Sequence, residues 1–82
     1  MRVHQVESVD FQGNNLLVRV DEQTLNLPLE AVSSRLFHAE PGQRQLFEVS
    51  PSGYGIHWPV LDEDLSVDGL IRLHHELHTL TQ

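Results

Sequence analysis

Apolar residues along this chain come in short runs separated by polar turns, and the spacing within the runs changes as the chain proceeds. The run from Val3 to Val9 alternates imperfectly, Phe11 follows, and Gln12-Gly13-Asn14-Asn15 offers the residue types of a tight turn. Leu16-Leu17-Val18-Arg19-Val20 alternates as a second strand, Asp21-Glu22-Gln23 makes a short connection, and Thr24-Leu25-Asn26-Leu27 reads as a third. Three strands with links this short predict an antiparallel meander.

Beyond Leu27 the period lengthens. Pro28 suits the first turn of a helix, where its missing N–H costs nothing, and Leu29, Val32 and Leu36 with Phe37 follow at helical spacing. Pro41-Gly42 closes that region, Gln45-Leu46-Phe47-Glu48-Val49 returns as a strand, and Ser50-Pro51-Ser52-Gly53 turns into Tyr54-Gly55-Ile56-His57-Trp58. Pro59 ends strand pairing, because it has no donor and pushes Trp58 to an extended backbone. Ser66 or Asp64 then caps a last helix running to the C-terminus. The expected fold is α+β: about five strands in a small antiparallel or mixed sheet with two helices, in the order β-β-β-α-β-β-α. It forms one domain over residues 1–82, with no repeat, linker or low-complexity segment.

Length and charge narrow the function classes. With 82 residues there is room for one core, since a domain near this size hides only about 60% of the surface its unfolded form exposes. No apolar stretch approaches the roughly 20 residues that span a bilayer, and the start Met1-Arg2-Val3-His4-Gln5 lacks a secretory apolar run, so a cytoplasmic location is expected. Cysteine is absent, which excludes a disulfide framework, a thiol nucleophile and a thiolate metal site. Twelve acidic residues face five arginines and no lysine, a formal charge of −7. Arg2, Arg19, Arg35, Arg44 and Arg72 are scattered singly, whereas nucleic-acid binding needs clustered cations. Nucleic acid and anionic membranes are disfavoured partners; a basic protein suits the charge.

The most distinctive stretch is Gly53-Tyr54-Gly55-Ile56-His57-Trp58-Pro59-Val60-Leu61-Asp62-Glu63-Asp64-Leu65-Ser66-Val67. It resembles a family of small bacterial domains of unknown function that carry G-x-G-I-x-W-P-x-L-D-x-D-L-S just before a last helix. The looser features agree: an N-terminal meander, a Leu-then-Ala segment like Leu36 to Ala39, and an Arg like Arg44 opening the next strand. Asp21-Glu22-Gln23 departs from the family, which often has a glycine in that turn, and so does the His-rich tail after Arg72. The resemblance implies a fold more than an activity. The resemblance implies a stand-alone module, a partner of a small toxin-like protein, or a domain joined to a helix-turn-helix, and the DNA-binding role of such fusions is not expected of residues 1–82. The residues of the motif, Gly55, Ile56, Trp58, Pro59, Leu61, Asp62, Asp64, Leu65 and Ser66, are expected to be architectural. Trp58 anchors, Pro59 stops the strand, Leu61 and Leu65 tether the connection, and Asp62, Glu63 and Asp64 favour the positive end of the last helix.

Candidate chemistry is sparse. Asp62-x-Asp64-x-Ser66-x-Asp68 begins like a calcium loop, but Val67 stands where the loop needs Gly and Leu73 where it needs a bidentate Glu. His74-His75-Glu76-Leu77-His78 has the i, i+4 histidines of a zinc helix, yet the Glu is one place late for a general base. His57 and Glu48 can neighbour across a hairpin, with no nucleophile beside them. On the last helix the apolar face swings, and Leu73, Leu77 and Leu80 form a stripe available either to a partner or second subunit, or to ordinary core packing. The resulting expectation is a non-enzymatic protein-interaction or regulatory module, self-associating or an antitoxin-like acidic partner of a small basic protein, with no cofactor and no metal. The competing reading is a small-ligand or metal-binding domain using Trp58, His57 and the late histidines.

Overall fold

In the computed structural model, which describes residues 3–80, the chain opens with a three-stranded antiparallel meander: β1 (Val6–Gln12), β2 (Asn15–Val20) and β3 (Gln23–Pro28). The imperfect alternation at the start has a physical cause. The β1–β2 register shifts between Val6 and Ser8, and this bulge at Glu7 lets Val6 and Val9, three positions apart, both pack against one core. On β2 and β3 the alternation is clean, with Leu16, Val18, Val20, Leu25 and Leu27 all fully enclosed on one face. The β2–β3 link is a two-residue turn whose central residues, Asp21 (φ 51°) and Glu22 (φ 67°), both take the left-handed conformation. Glycine or asparagine would sit there with less strain.

Where one short helix is predicted the chain makes two single turns, α1 (Leu29–Val32) and α2 (Ser34–His38), broken at an extended Ser33 (φ −161°, ψ 117°). The Ser33 hydroxyl accepts from the Leu36 amide and donates to Glu63, so a polar residue inside an apolar period becomes the cap of a new turn. A third turn, α3 (Pro41–Arg44), follows with Pro at its first position, so Pro41-Gly42 begins a helix instead of ending one.

A second three-stranded antiparallel sheet completes the fold: β4 (Glu48–Val49), β5 (Gly55–Trp58) and β6 (Glu63–Ser66), in the order β4-β5-β6. The first of these is far shorter than the strand expected over Gln45 to Val49. β6 corrects a second expectation: Asp62, Glu63 and Asp64 do not sit on a helix end. Pro59–Asp62 is a tight loop, Asp62 has φ 52°, and Glu63 to Ser66 return along β5 with Trp58 opposite Glu63 and Gly55 opposite Ser66. The helix α4 (Val67–Leu80) starts only then, and Ser66 is its cap, its hydroxyl accepting from the Gly69 amide at 3.0 Å. The layout is thus α+β with six strands in two sheets and four helices, not five strands and two helices.

The core lies between the inner faces of the two sheets and α4, which packs on β3 and β6. Trp58 is at its centre, fully enclosed, edge-on to Phe11 and tilted against Phe47. Its indole N–H donates to the Arg44 carbonyl at 2.9 Å, which satisfies the one polar atom of the ring.

Candidate functional site

β5 carries two kinds of chemistry on its two faces. Ile56 and Trp58 point into the core, while His57 points outward from the central strand of its sheet. Register sets its neighbours: Glu48 on β4 and Asp64 on β6 lie directly across from it. The expected His57–Glu48 juxtaposition is therefore present, and Asp64 completes a row of three. His57 Nδ1–H donates to Asp64 Oδ1 at 2.7 Å, which fixes the tautomer with Nε2 outward. The Glu48 side chain makes no hydrogen bond or ion pair among the described residues.

The row forms part of the wall of a shallow groove of about 800 Å³, lined also by Val49 and by residues of the Ser50–Gly55 loop, Pro51 and Tyr54 among them. That loop is rigid for a local reason. The Ser50 hydroxyl accepts from the amides of Tyr54 and Gly55, and Gly53 (φ 72°) passes so close to the chain start that a Cβ would lie 1.9 Å from the His4 carbonyl oxygen. Val49 and Tyr54 are two of the large apolar residues left open to solvent, Tyr54 at 54% exposure.

A second polar cluster has no counterpart in the sequence reading. His4 is buried, and both of its ring nitrogens lie 2.6 Å from a carboxylate: Nδ1 from Asp21 Oδ2 in the β2–β3 turn, Nε2 from Asp68 Oδ1 in the first turn of α4. A neutral imidazole has one N–H and cannot donate to both, so the geometry calls for an imidazolium. The hydrogen bonds to Asp21 and then Asp68 raise its pKa above the ordinary histidine value, against the opposing effect of burial. The Gln5 amide adds a bond to Asp21 Oδ1, and the His4 amide donates to the Ser52 carbonyl. Arg44 is the other unexpected group: it does not open a strand but ends α3, buried. Its guanidinium donates to the carbonyls of Leu36, Phe37 and Gly13 and to Asn14 Oδ1, beneath the Phe11 ring.

The remaining candidates are dispersed. The four residues of the calcium-like run part company: Asp62 is in the loop, Asp64 on His57, Ser66 on the α4 cap and Asp68 on His4. Trp58 and His57 face opposite sides of β5 and do not share a site. His74 and His78 stack on α4 with ring centroids 4.0 Å apart, and His78 Nδ1–H donates to the His74 carbonyl. Burial first, then the neighbouring charges of His78 and His75, lower the pKa of His74. Among the described residues no group of three or more His, Cys, Asp or Glu is arranged to hold a metal ion. Leu73 and Leu77 are half-buried against the edge of the core, and with His75, Glu76 and Thr79 they line an open groove of about 520 Å³; the Leu80 side chain lies outside the described residues. No helix among the described residues is long and apolar enough to cross a membrane.

Two small antiparallel sheets sharing a core with a terminal helix define a small α+β domain. The chain belongs to the family described as a protein of unknown function (DUF2442), whose model matches residues 6–76. A protein of unknown function from Rhodospirillum rubrum, known from its crystal structure, is similar with a TM-score of 0.68 and 27% identity, over 87% of this chain and 88% of that one. An uncharacterised protein from Chromobacterium violaceum, solved by solution NMR, is similar with a TM-score of 0.66 and 26% identity. The match covers 82% of this chain and 63% of that protein, so the chain spans less than two thirds of that protein's length. No curated protein matches the sequence.

Proposed function

We propose that this domain is a non-enzymatic, cytoplasmic protein-interaction module that acts as the acidic partner of a small basic protein. The supporting observation is how the charges are arranged. Exposed carboxylates occur on five of the elements: Glu7 and Asp10 on β1, Glu30 on α1, Glu48 on β4, Asp64 on β6 and Asp68 and Glu76 on α4. The described arginines are largely engaged within the chain: Arg44 on buried carbonyls, Arg35 on the Leu61 and Asp62 carbonyls, Arg19 on Glu7 and Thr24. With a formal charge of −7, the outer field steers cationic partners inward and repels nucleic acid. A non-catalytic role agrees with the exposure of the His57–Asp64 pair, whose side chains are 40% and 75% open, because acid-base catalysis gains most where water is excluded.

The test is affinity purification of the tagged chain from native cells, followed by reconstitution with the purified partner at several ionic strengths. A basic partner bound in stoichiometric amount, with affinity falling as salt rises, is expected. A neutral or acidic partner, or salt-independent binding, would refute the reading. Self-association through α4 is a second reading, favoured by the open face of Leu73 and Leu77; light scattering that gives a monomer at every concentration would remove it. Calorimetry with zinc, nickel and calcium addresses the competing metal-binding reading, for which the dispersed histidines and carboxylates offer less support.

A further inference from the structure

We infer that the groove over the outer face of β4, β5 and β6 is the docking site for an extended, arginine- or lysine-bearing segment of the partner. This rests on the acidic-partner reading and gives it a location. Three observations converge on the groove. Its polar row, Glu48–His57–Asp64, presents two carboxylates on either side of an imidazole, and the Nδ1–H bond of His57 to Asp64 leaves the rest of the row turned outward. With neighbouring strands about 4.8 Å apart, the outer carboxylates are carried by backbones roughly 10 Å apart, a span that a guanidinium or ammonium on its long stem can lie along. Exposed Tyr54, together with Pro51, supplies apolar area beside those charges, which matches the combination of stem and charged head on a basic side chain.

Charge complementarity selects the occupant. No arginine lines the groove, and a second copy of this acidic chain would bring carboxylates against carboxylates. The floor is firm: Ile56 beneath it is buried, and Ser50 ties the end loop through three backbone groups, its own amide donating to the Gly55 carbonyl and its hydroxyl accepting from Tyr54 and Gly55. A rigid floor lowers the ordering cost of binding.

The full chain, labelled with 15N, is titrated with a short peptide of alternating arginine and valine, and with a control peptide carrying glutamate for arginine. Amide shifts concentrated on residues 48–57 and 64–66, seen only with the basic peptide, are expected. The double variant Glu48→Gln/Asp64→Asn should weaken binding about tenfold, a change of about 1.4 kcal/mol. Asp10→Asn/Glu30→Gln removes the same formal charge outside the groove and should change binding less than about twofold. Equal weakening by both pairs, or shifts spread over the whole acidic surface, overturns the site. Shifts confined to another face overturn the site but leave the acidic-partner reading standing, whereas no binding of the basic peptide at low salt removes both. The amide spectrum of each double variant reports whether it is folded.

Discussion

Replacing His4 with glutamine should destabilise the domain, and the loss should shrink as pH rises. Gln keeps a donor for one carboxylate but removes the positive charge and the second N–H. A hydrogen bond to a charged group contributes about 1.5–3 kcal/mol. The carboxylate partners are 40% and 49% exposed, so water and salt screen them and the lower end applies; with one contact kept by Gln, the lost contact and the lost charge together come to about 2 kcal/mol. For a domain of this size that corresponds to a fall in Tm of about 10 °C. The folded pKa of His4 is raised above about 6.5, its value in the unfolded chain, so the folded state binds the extra proton more tightly. The stabilisation is fully present below about pH 6.5 and is lost as pH climbs through the raised folded value. The groups facing the imidazole are Asp21 from the β2–β3 turn and Asp68 from α4, both acidic, with the Ser52 carbonyl bound to the His4 amide. Thermal unfolding of both proteins from about pH 5 to about pH 10 should give two Tm curves that converge at the alkaline end. A gap independent of pH would show that His4 is held neutral, and nitrogen-15 NMR showing one protonated ring nitrogen at neutral pH would sink the imidazolium independently.

The other predictions concern backbone, buried cation and tail. Gly53→Ala should cost about 2 kcal/mol or more in denaturant unfolding, because the new methyl meets the His4 carbonyl at 1.9 Å and the residue is held at positive φ. Glu22→Gly should raise stability by about 1 kcal/mol by relieving the left-handed turn residue (φ 67°), as a shifted thermal midpoint would show. Arg44→Lys should lose about 2–4 kcal/mol, because one ammonium cannot reach the four acceptors that the guanidinium spans; an unchanged urea midpoint would contradict the buried geometry. His74 has a lowered pKa, so its contribution is present above about pH 6.5 and falls away in acid; His74→Gln should flatten the loss of Tm between about pH 7.5 and about pH 5.5.

What the sequence discloses and what it hides separate along physical lines. The meander was legible because β2 and β3 alternate strictly and their links are two residues long, so the local pattern already contains the pairing. Trp58-Pro59 marked a strand end correctly, and Ser66 marked the start of α4. β6 was hidden because Asp62-Glu63-Asp64 has low strand propensity and reads as a helix start; its pairing comes from hydrogen bonds to β5, which no local pattern reports. Ser33 broke the predicted helix for a similar reason, since its partner Glu63 is 30 residues away. The His4 cluster was the least visible of all: its carboxylates are 17 and 64 residues distant, and nothing near His4 hints at either.

The same contrast separates architecture from function within the motif. Trp58 is explained by the core it fills and the carbonyl it satisfies, Leu61 and Leu65 by packing, Ser66 by capping and Glu63 by its bond to Ser33. Asp64 is not explained this way. Its side chain is the most open of the ion-paired groups and among the described residues bonds only His57, while the backbone of β6 would pair with β5 whatever side chain stood there. A carboxylate that the fold does not need, set by register beside a histidine and across from a second carboxylate, is therefore where a change in binding can be read without a change in folding. Within the Trp-Pro-acid segment, packing, capping and hydrogen bonds account for Trp58, Leu61, Leu65, Ser66 and Glu63, and Asp64 is the position at which the proposed docking is tested.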